Sequence, residues 1–222
     1  MLEISGLAKK YGKKVILDNI SFYADKKEQV AIVGKNGCGK STLMRIMAGI
    51  LKPDAGQMQY FGQDVRKNAR LFQKYCGYVP QDNPLMEELS VRDNLKLWGG
   101  IRNAQTQELL KQFQLDEMLK MPVEKLSGGM KRRVSIVCAM LGYPPVMLMD
   151  EPTTALDLFY KESIHNWMRQ YVEDEGIIIM TTHDEQEIIA SDRCYVMKDG
   201  SLTELPQEGE ERLFLVKQYM NE

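Results

Sequence analysis

Long apolar runs are missing from this sequence. None approaches the ~18 consecutive residues that a membrane-spanning helix needs, and the opening stretch Met1 to Gly12 lacks the apolar core of a secretory leader. Work at a membrane would therefore have to go through partner proteins. Cysteine is scarce: Cys38, Cys76, Cys138 and Cys194 stand far apart with no C-x-x-C pair. That spacing suggests neither a disulfide framework nor a zinc ribbon, and a reducing compartment fits best. An excess of one charge is absent too, since 29 Lys plus Arg against 31 Asp plus Glu leave a formal net charge of −2. Nothing in that balance favours nucleic acid or another polyanion as partner. The densest basic stretch, Arg66, Lys67, Arg70 and Lys74, reads more readily as a solvated face than as a contact surface and is given no role. No internal repeat or low-complexity linker interrupts the 222 residues.

What remains is the composition of a soluble globular chain, 44% hydrophobic and 27% charged, which argues against extensive disorder. Short runs from Gln29 to Val33, Val146 to Met149, Ile177 to Met180 and Tyr195 to Met197 are apolar over their whole length. Strands buried on both faces of a parallel sheet read this way. Between them, Leu43, Ile46, Met47 and Ile50 keep helical spacing, as do Tyr160, Ile164, Trp167, Met168 and Tyr171. The architecture expected is α/β. From about 84 to 141 the β-branched runs vanish, while Leu109, Leu110, Phe113, Val134, Val137, Cys138 and Leu141 fall at helical intervals. This stretch is expected to be a helical subdomain inserted into a core of residues 1–83 and 142–206. A loop from Leu205 to Glu211 and a short helix over about 212–220 would complete a single domain spanning 1–222.

The sequence Gly34-Lys35-Asn36-Gly37-Cys38-Gly39-Lys40-Ser41, followed by Thr42, matches G-x-x-x-x-G-K-[ST] directly after an apolar run and at the start of a helical pattern. Glycines let the backbone wrap phosphates with several N–H groups pointing inward, and the helix N-terminus adds partial positive charge. Lys40 would neutralise the β- and γ-phosphates of ATP, and Ser41 would ligate Mg2+.

The run Val146 to Met149 ends in Asp150 and Glu151, at the edge where open α/β sheets hold their ligands. Successive strand residues face opposite sides, so the two acids are expected to divide the work. Asp150 suits Mg2+, directly or through water, and Glu151 suits the polarising of an attacking water. A further run leads through Thr181-Thr182 to His183 on the same edge, near the γ-phosphate. The other histidine, His165, is assigned to an exposed helix face.

Leu126-Ser127-Gly128-Gly129-Met130 opens another helical pattern and offers a hydroxyl and free N–H groups at its start. The order of Gly34 to Ser41, Gln81, Leu126 to Met130, Asp150-Glu151, Ala155-Leu156-Asp157 and His183 resembles the ATP-binding subunits of ABC transporters across nearly the whole chain. The resemblance implies a RecA-like P-loop NTPase core with a helical subdomain. It implies that Tyr11 stacks on adenine, that Gln81 links the Mg2+ site to a membrane partner, and that His183 contacts the γ-phosphate. Ser127, Gly128 and Gly129 would close over ATP held by an opposite protomer, with Asp157 at the dimer interface.

One phosphate loop and one Leu-Ser-Gly-Gly segment per chain imply a homodimer, or a heterodimer with another ABC ATPase subunit. Its place would be cytoplasmic, at the membrane face, on separate transmembrane permease subunits. Met130 stands where the family often has glutamine, Thr154 where serine is frequent, and Cys38 where a small residue is usual. Gly-Gly-Met followed by Lys131-Arg132-Arg133 is similar to ATPases of bacterial drug, lipid or polysaccharide exporters, and the 22 residues after Gly200 leave no room for the regulatory domain of many sugar importers. The alternatives are a soluble ABC-type ATPase of translation or DNA maintenance, and an unrelated phosphate-loop kinase. The kinase would not account for Leu126 to Met130 or His183.

Overall fold

The computed structural model describes residues 1–99, 104–154 and 156–221. It begins with β1 (Leu2–Tyr11), β2 (Lys14–Ala24) and β3 (Glu28–Val33), then α1 (Lys40–Met47), β4 (Ala55–Tyr60) and β5 (Gln63–Asp64). Next come α2 (Arg70–Tyr75), β6 (Cys76–Val79), α3 (Val91–Trp98), α4 (Ala104–Gln112), α5 (Gly128–Met140) and β7 (Val146–Asp150). The remainder is α6 (Leu158–Glu173), β8 (Ile177–Thr181), α7 (Glu185–Ala190), β9 (Arg193–Lys198), β10 (Ser201–Leu205) and α8 (Gly209–Asn221).

Two sheets organise these elements. One is antiparallel in the order β2-β1-β4-β5; the other has the order β10-β9-β3-β8-β7-β6, parallel from β9 to β6 with β10 antiparallel at its edge. The parallel strands are apolar throughout because each face feeds a different core. Val30, Ile32, Val146, Leu148, Ile177 and Ile179 pack with α1 and the antiparallel sheet, while Ala31, Val33, Met147, Met149, Ile178 and Met180 pack with α5 and α6. Strands β3, β8, β7 and β6 are neighbours running the same way, so the segments leaving their C-terminal ends gather on one edge.

Three local expectations change. Helix α1 ends at Met47, Ala48 caps it and Gly49 turns the chain at φ 73, leaving Ile50 65% exposed rather than on the apolar stripe. The terminal helix starts at Gly209, three residues early, because Arg212 is buried and donates to the carbonyls of Gln207, Ile188, Ser191 and Asp192. His165 is half-buried, not on an exposed face: its Nε2 lies 3.2 Å from Oε1 of the buried Glu187. The basic stretch is exposed, with Arg66 and Lys67 paired to Asp64 and the Lys74 ammonium over the Tyr75 ring.

Candidate active site

The loop after β3 turns at Gly34, where a Cβ would stand 2.5 Å from the carbonyl oxygen of Met197, and enters α1 through Gly39 at φ 116. Neither position admits an ordinary side chain. Gly39 supplies no side-chain cap, so the first N–H groups of α1 are left for whatever sits in front of the helix. A cleft of about 680 Å³ lies there, lined by Lys35, Asn36, Gly37, Gly39, Lys40, Ser41 and Thr42. Gln81, Glu151 and His183 line its other wall. The Lys40 side chain is buried and donates to the carbonyls of Gly34 at 2.6 Å and Lys35 at 3.4 Å, with His183 Nε2 3.4 Å away. An ammonium has no acceptor to offer, so at this contact Nε2 accepts and the imidazole proton belongs on Nδ1. Burial, and then the nearby Lys40 charge, lower the His183 pKa below the usual imidazole value, with Glu151 pulling the other way.

The two carboxylates part company for a reason other than strand alternation. Strand β7 ends at Asp150, and Glu151 adopts φ 49, a left-handed conformation that costs a residue with a Cβ about 1 kcal/mol or more. Two bonds hold it there: the Glu151 N–H donates to the Thr181 carbonyl at 3.0 Å and to Thr181 Oγ1 at 3.1 Å. Asp150 is 2% exposed and accepts from Thr181 Oγ1 at 2.6 Å. The Glu151 carboxylate accepts from Gln81 Nε2 and Thr154 Oγ1, each at 3.1 Å, and its Oε1 lies 3.8 Å from His183 Nε2. Behind this wall the buried Glu187 accepts from Thr153 Oγ1 at 2.8 Å and from Thr182 Oγ1, binding together the turns that carry Glu151 and His183.

The donor set in the cleft fits a hard cation held mainly by a nucleotide. Ser41, with its hydroxyl, and Gln81, with its amide oxygen, line the cleft, whereas the Asp150 carboxylate is buried, is held by Thr181 Oγ1 and does not itself line it. So few protein donors match the way Mg2+ keeps waters and phosphate oxygens around it. Among the described residues no cluster of three or more His, Cys, Asp or Glu forms a self-sufficient metal site.

Other residues singled out from sequence lie outside the cleft. Gly34 contributes its carbonyl to Lys40, and Cys38 packs against the core beneath α1, its thiol 2.8 Å from the site a Gly34 Cβ would occupy; neither lines the cavity. Tyr11 is 53% exposed at the end of β1 with Lys9 5.7 Å over its ring, and it lines no part of the cleft. Ser127 caps α5 by accepting from the Met130 N–H at 3.3 Å; it and Gly128 are exposed and border no part of this cavity. Gly129 is buried, with Tyr160 Cδ2 only 2.4 Å from where its Cβ would be. Asp157 caps α6 by accepting from the Tyr160 N–H at 3.1 Å. Ala155 lies outside the described residues.

Sequence reasoning passed over Thr181, Ile16 and Met220, the last two lining the cleft, and above all Arg132. That arginine is 5% exposed on the buried side of α5, where burial pulls its guanidinium down to about 10 against the pull of Asp150. A charged residue in register with Ile136 and Met140 on a buried stripe was the available signal, because such a group is kept only when paired.

The family model described as ABC transporter matches residues 17–154, more than half of the chain. The chain belongs to that family. Among relatives of this ABC ATPase is the Nod factor export ATP-binding protein I of Sinorhizobium fredii (strain NBRC 101917 / NGR234), 35% identical over 207 residues; the match covers 90% of this chain and 60% of the relative. The chain thus spans under two thirds of that relative's length. The linearmycin resistance ATP-binding protein LnrL of Bacillus subtilis (strain 168) is 32% identical, over 91% of this chain and 68% of its own. A solved ATP-binding cassette, dimeric and in a post-hydrolysis state with ADP and Pi, superposes with a TM-score of 0.82 at 27% identity, covering 92% of this chain and 98% of its own.

Proposed function

We propose that this ABC ATPase binds and hydrolyses Mg-ATP and powers an exporter whose transmembrane subunits are separate chains. One observation carries the reading. Lys40, Gln81, Glu151 and His183 arrive from the ends of four adjacent parallel strands at a single cleft, whereas Ser127 and Gly128 of the same chain border no part of it. The phosphates sit against Lys35 to Thr42, and Lys40 offsets their charge. Ser41 and Gln81, with Asp150, would hold Mg2+, which would supply Lewis-acid stabilisation of the charge that develops on the phosphates. Glu151 orients the attacking water and accepts its proton, its left-handed backbone accompanying a carboxylate that meets Gln81. His183, uncharged at neutral pH, holds the γ-phosphate side.

Ser127 and Gly128 complete the site of a second copy, or of a related subunit, arranged head to tail. ATP then favours the closed pair over the open one, and its differential affinity for the two limits the work delivered to the membrane partner. The relatives named for Nod factor export and linearmycin resistance support the export direction, and nothing in them supports translation or DNA maintenance. No described helix is long and apolar enough to cross a membrane, which fits attachment through partner chains. Affinity capture of the Glu151→Gln chain with Mg-ATP from detergent-solubilised membranes should return multi-span proteins encoded beside it. Capture of ribosomes or DNA-bound proteins in their place would overturn the transporter assignment.

A further inference from the structure

The guanidinium of Arg132 is saturated by backbone. Nε donates to the Pro152 carbonyl at 2.9 Å, one terminal nitrogen to Asp150 at 2.8 Å and Glu151 at 2.9 Å, and the other to Pro80 and, at 3.5 Å, to Gln81. Five N–H donors meet five carbonyls on two segments. Those are the segments that bring Gln81 and Glu151 together, side chain to side chain at 3.1 Å. Glu151 turns left-handed where β7 ends, and Arg132 takes up the carbonyls of Asp150, Glu151 and Pro152 around that turn. Arg132 itself stands five residues after Ser127, a little over one turn into the helix that Ser127 caps.

We propose that Arg132 is a positioning residue that ties the seating of Ser127 and Gly128 on one nucleotide to the alignment of the same chain's Gln81 and Glu151 on the other. The proposal rests on the head-to-tail reading above. In a rigid first turn and a half of α5, any displacement forced at Ser127 by closure moves the guanidinium, and through its five bonds both hydrolytic segments move together. Each site thereby senses whether the other is closed, so hydrolysis depends cooperatively on ATP. Lysine cannot replace this planar fork, since its three donors radiate from one point.

The test uses the full chain, with any partner subunit it needs, carrying Arg132→Lys, or Arg132→Gln should the lysine form not fold by circular dichroism. A misplacement of about 1 Å in a reacting group costs about 100-fold, so kcat should fall by roughly that factor. The Hill coefficient for ATP should drop from above 1 to 1. Affinity for a fluorescent ATP analogue should stay within about threefold of wild type, less than ~0.7 kcal/mol. The double variant Arg132→Lys, Glu151→Gln should still form ATP-dependent dimers as readily as Glu151→Gln alone. A merely structural role would lower analogue affinity and dimerisation together with kcat, and that outcome overturns the proposal. So does a kcat within threefold of wild type, or a wild-type Hill coefficient of 1. A wild type that hydrolyses no ATP overturns the proposed function instead, and the proposal with it.

Discussion

Two helix starts in this chain look alike in sequence and differ in what surrounds them. Helix α1 begins after Gly39 with no side-chain cap, and its first turn lines a cleft whose far wall is Gln81, Glu151 and His183. Helix α5 begins after Ser127, which caps the Met130 N–H with its own hydroxyl and faces solvent beside an open Gly128. The first start faces Gln81, Glu151 and His183 of the same chain across a cleft; among the described residues the second borders no part of that cleft. On the head-to-tail proposal, each of these anion-binding helix ends would be half of a site.

The contrast breaks most sharply at Glu151, which furnishes the first start and not the second. Replacing it by glutamine keeps the shape and the contact with Gln81 but removes the proton acceptor, so turnover should fall by about 10²–10⁴-fold. ATP should remain bound and the protein should accumulate as an ATP-bound dimer on gel filtration. Turnover near wild type, or monomer alone with ATP, would remove Glu151 from the role given to it.

Next in size comes a crossed pair. Lys40→Ala deletes a buried charge from the first start and should weaken ATP binding about 10–100-fold, the size of one or two charge-assisted hydrogen bonds. Ser127→Arg should leave nucleotide affinity of the isolated chain within about threefold while stopping hydrolysis, because the bulky cation blocks a second chain's approach. Equal losses of affinity in both variants, measured by equilibrium titration, would mean that the two starts serve one nucleotide.

The glycines of the second start are not equivalent either. A Cβ at Gly129 would meet the Tyr160 ring at 2.4 Å, near its attachment rather than its tip, whereas Gly128 has nothing within 4 Å. Gly129→Ala should cost about 1–3 kcal/mol of stability through overpacking. Gly128→Ala should be neutral or slightly stabilising, by up to about 1 kcal/mol, because a helical glycine is replaced. Urea denaturation of the two variants separates them; similar midpoints would refute the packing account.

How much of this was legible follows from which signals survive tertiary structure. The phosphate loop, the acidic strand end and the Ser-Gly-Gly helix start are local, and their chemistry is written in adjacent residues. The antiparallel sheet was not read, because β1 keeps period-2 alternation only from Leu2 to Ile4 before the register shifts around Gly6, at φ 63, and resumes at Leu7. Strand β4 offers just Met58 and Tyr60 as buried apolar residues. Arg132 and Thr181 act through groups distant in sequence: helical register marks Arg132 as buried but names none of its partners, and no spacing rule reaches Thr181. His165 looked like a surface residue until Glu187, 22 positions away, appeared beside it.

The smallest effect distinguishes the two starts by field alone. His183 has its pKa lowered first by burial and then by the Lys40 ammonium, with Glu151 opposing. Lys40→Met should therefore raise the His183 pKa toward the ordinary imidazole value of about 6.5, whereas Ser127→Arg, at the other helix start, should leave it where it is. The sign carries into stability. With the folded pKa below the unfolded one, the unfolded chain binds the proton first on acidification, so this histidine's contribution is present above about pH 6.5 and is lost as pH falls through the folded value. Lys40→Met should narrow that acid window. Imidazole proton chemical shifts followed against pH, with His165→Gln used to assign the two histidines, measure it. An unmoved His183 in Lys40→Met, or one that moves equally in Ser127→Arg, would show that Lys40 does not set the charge state at the γ-phosphate side.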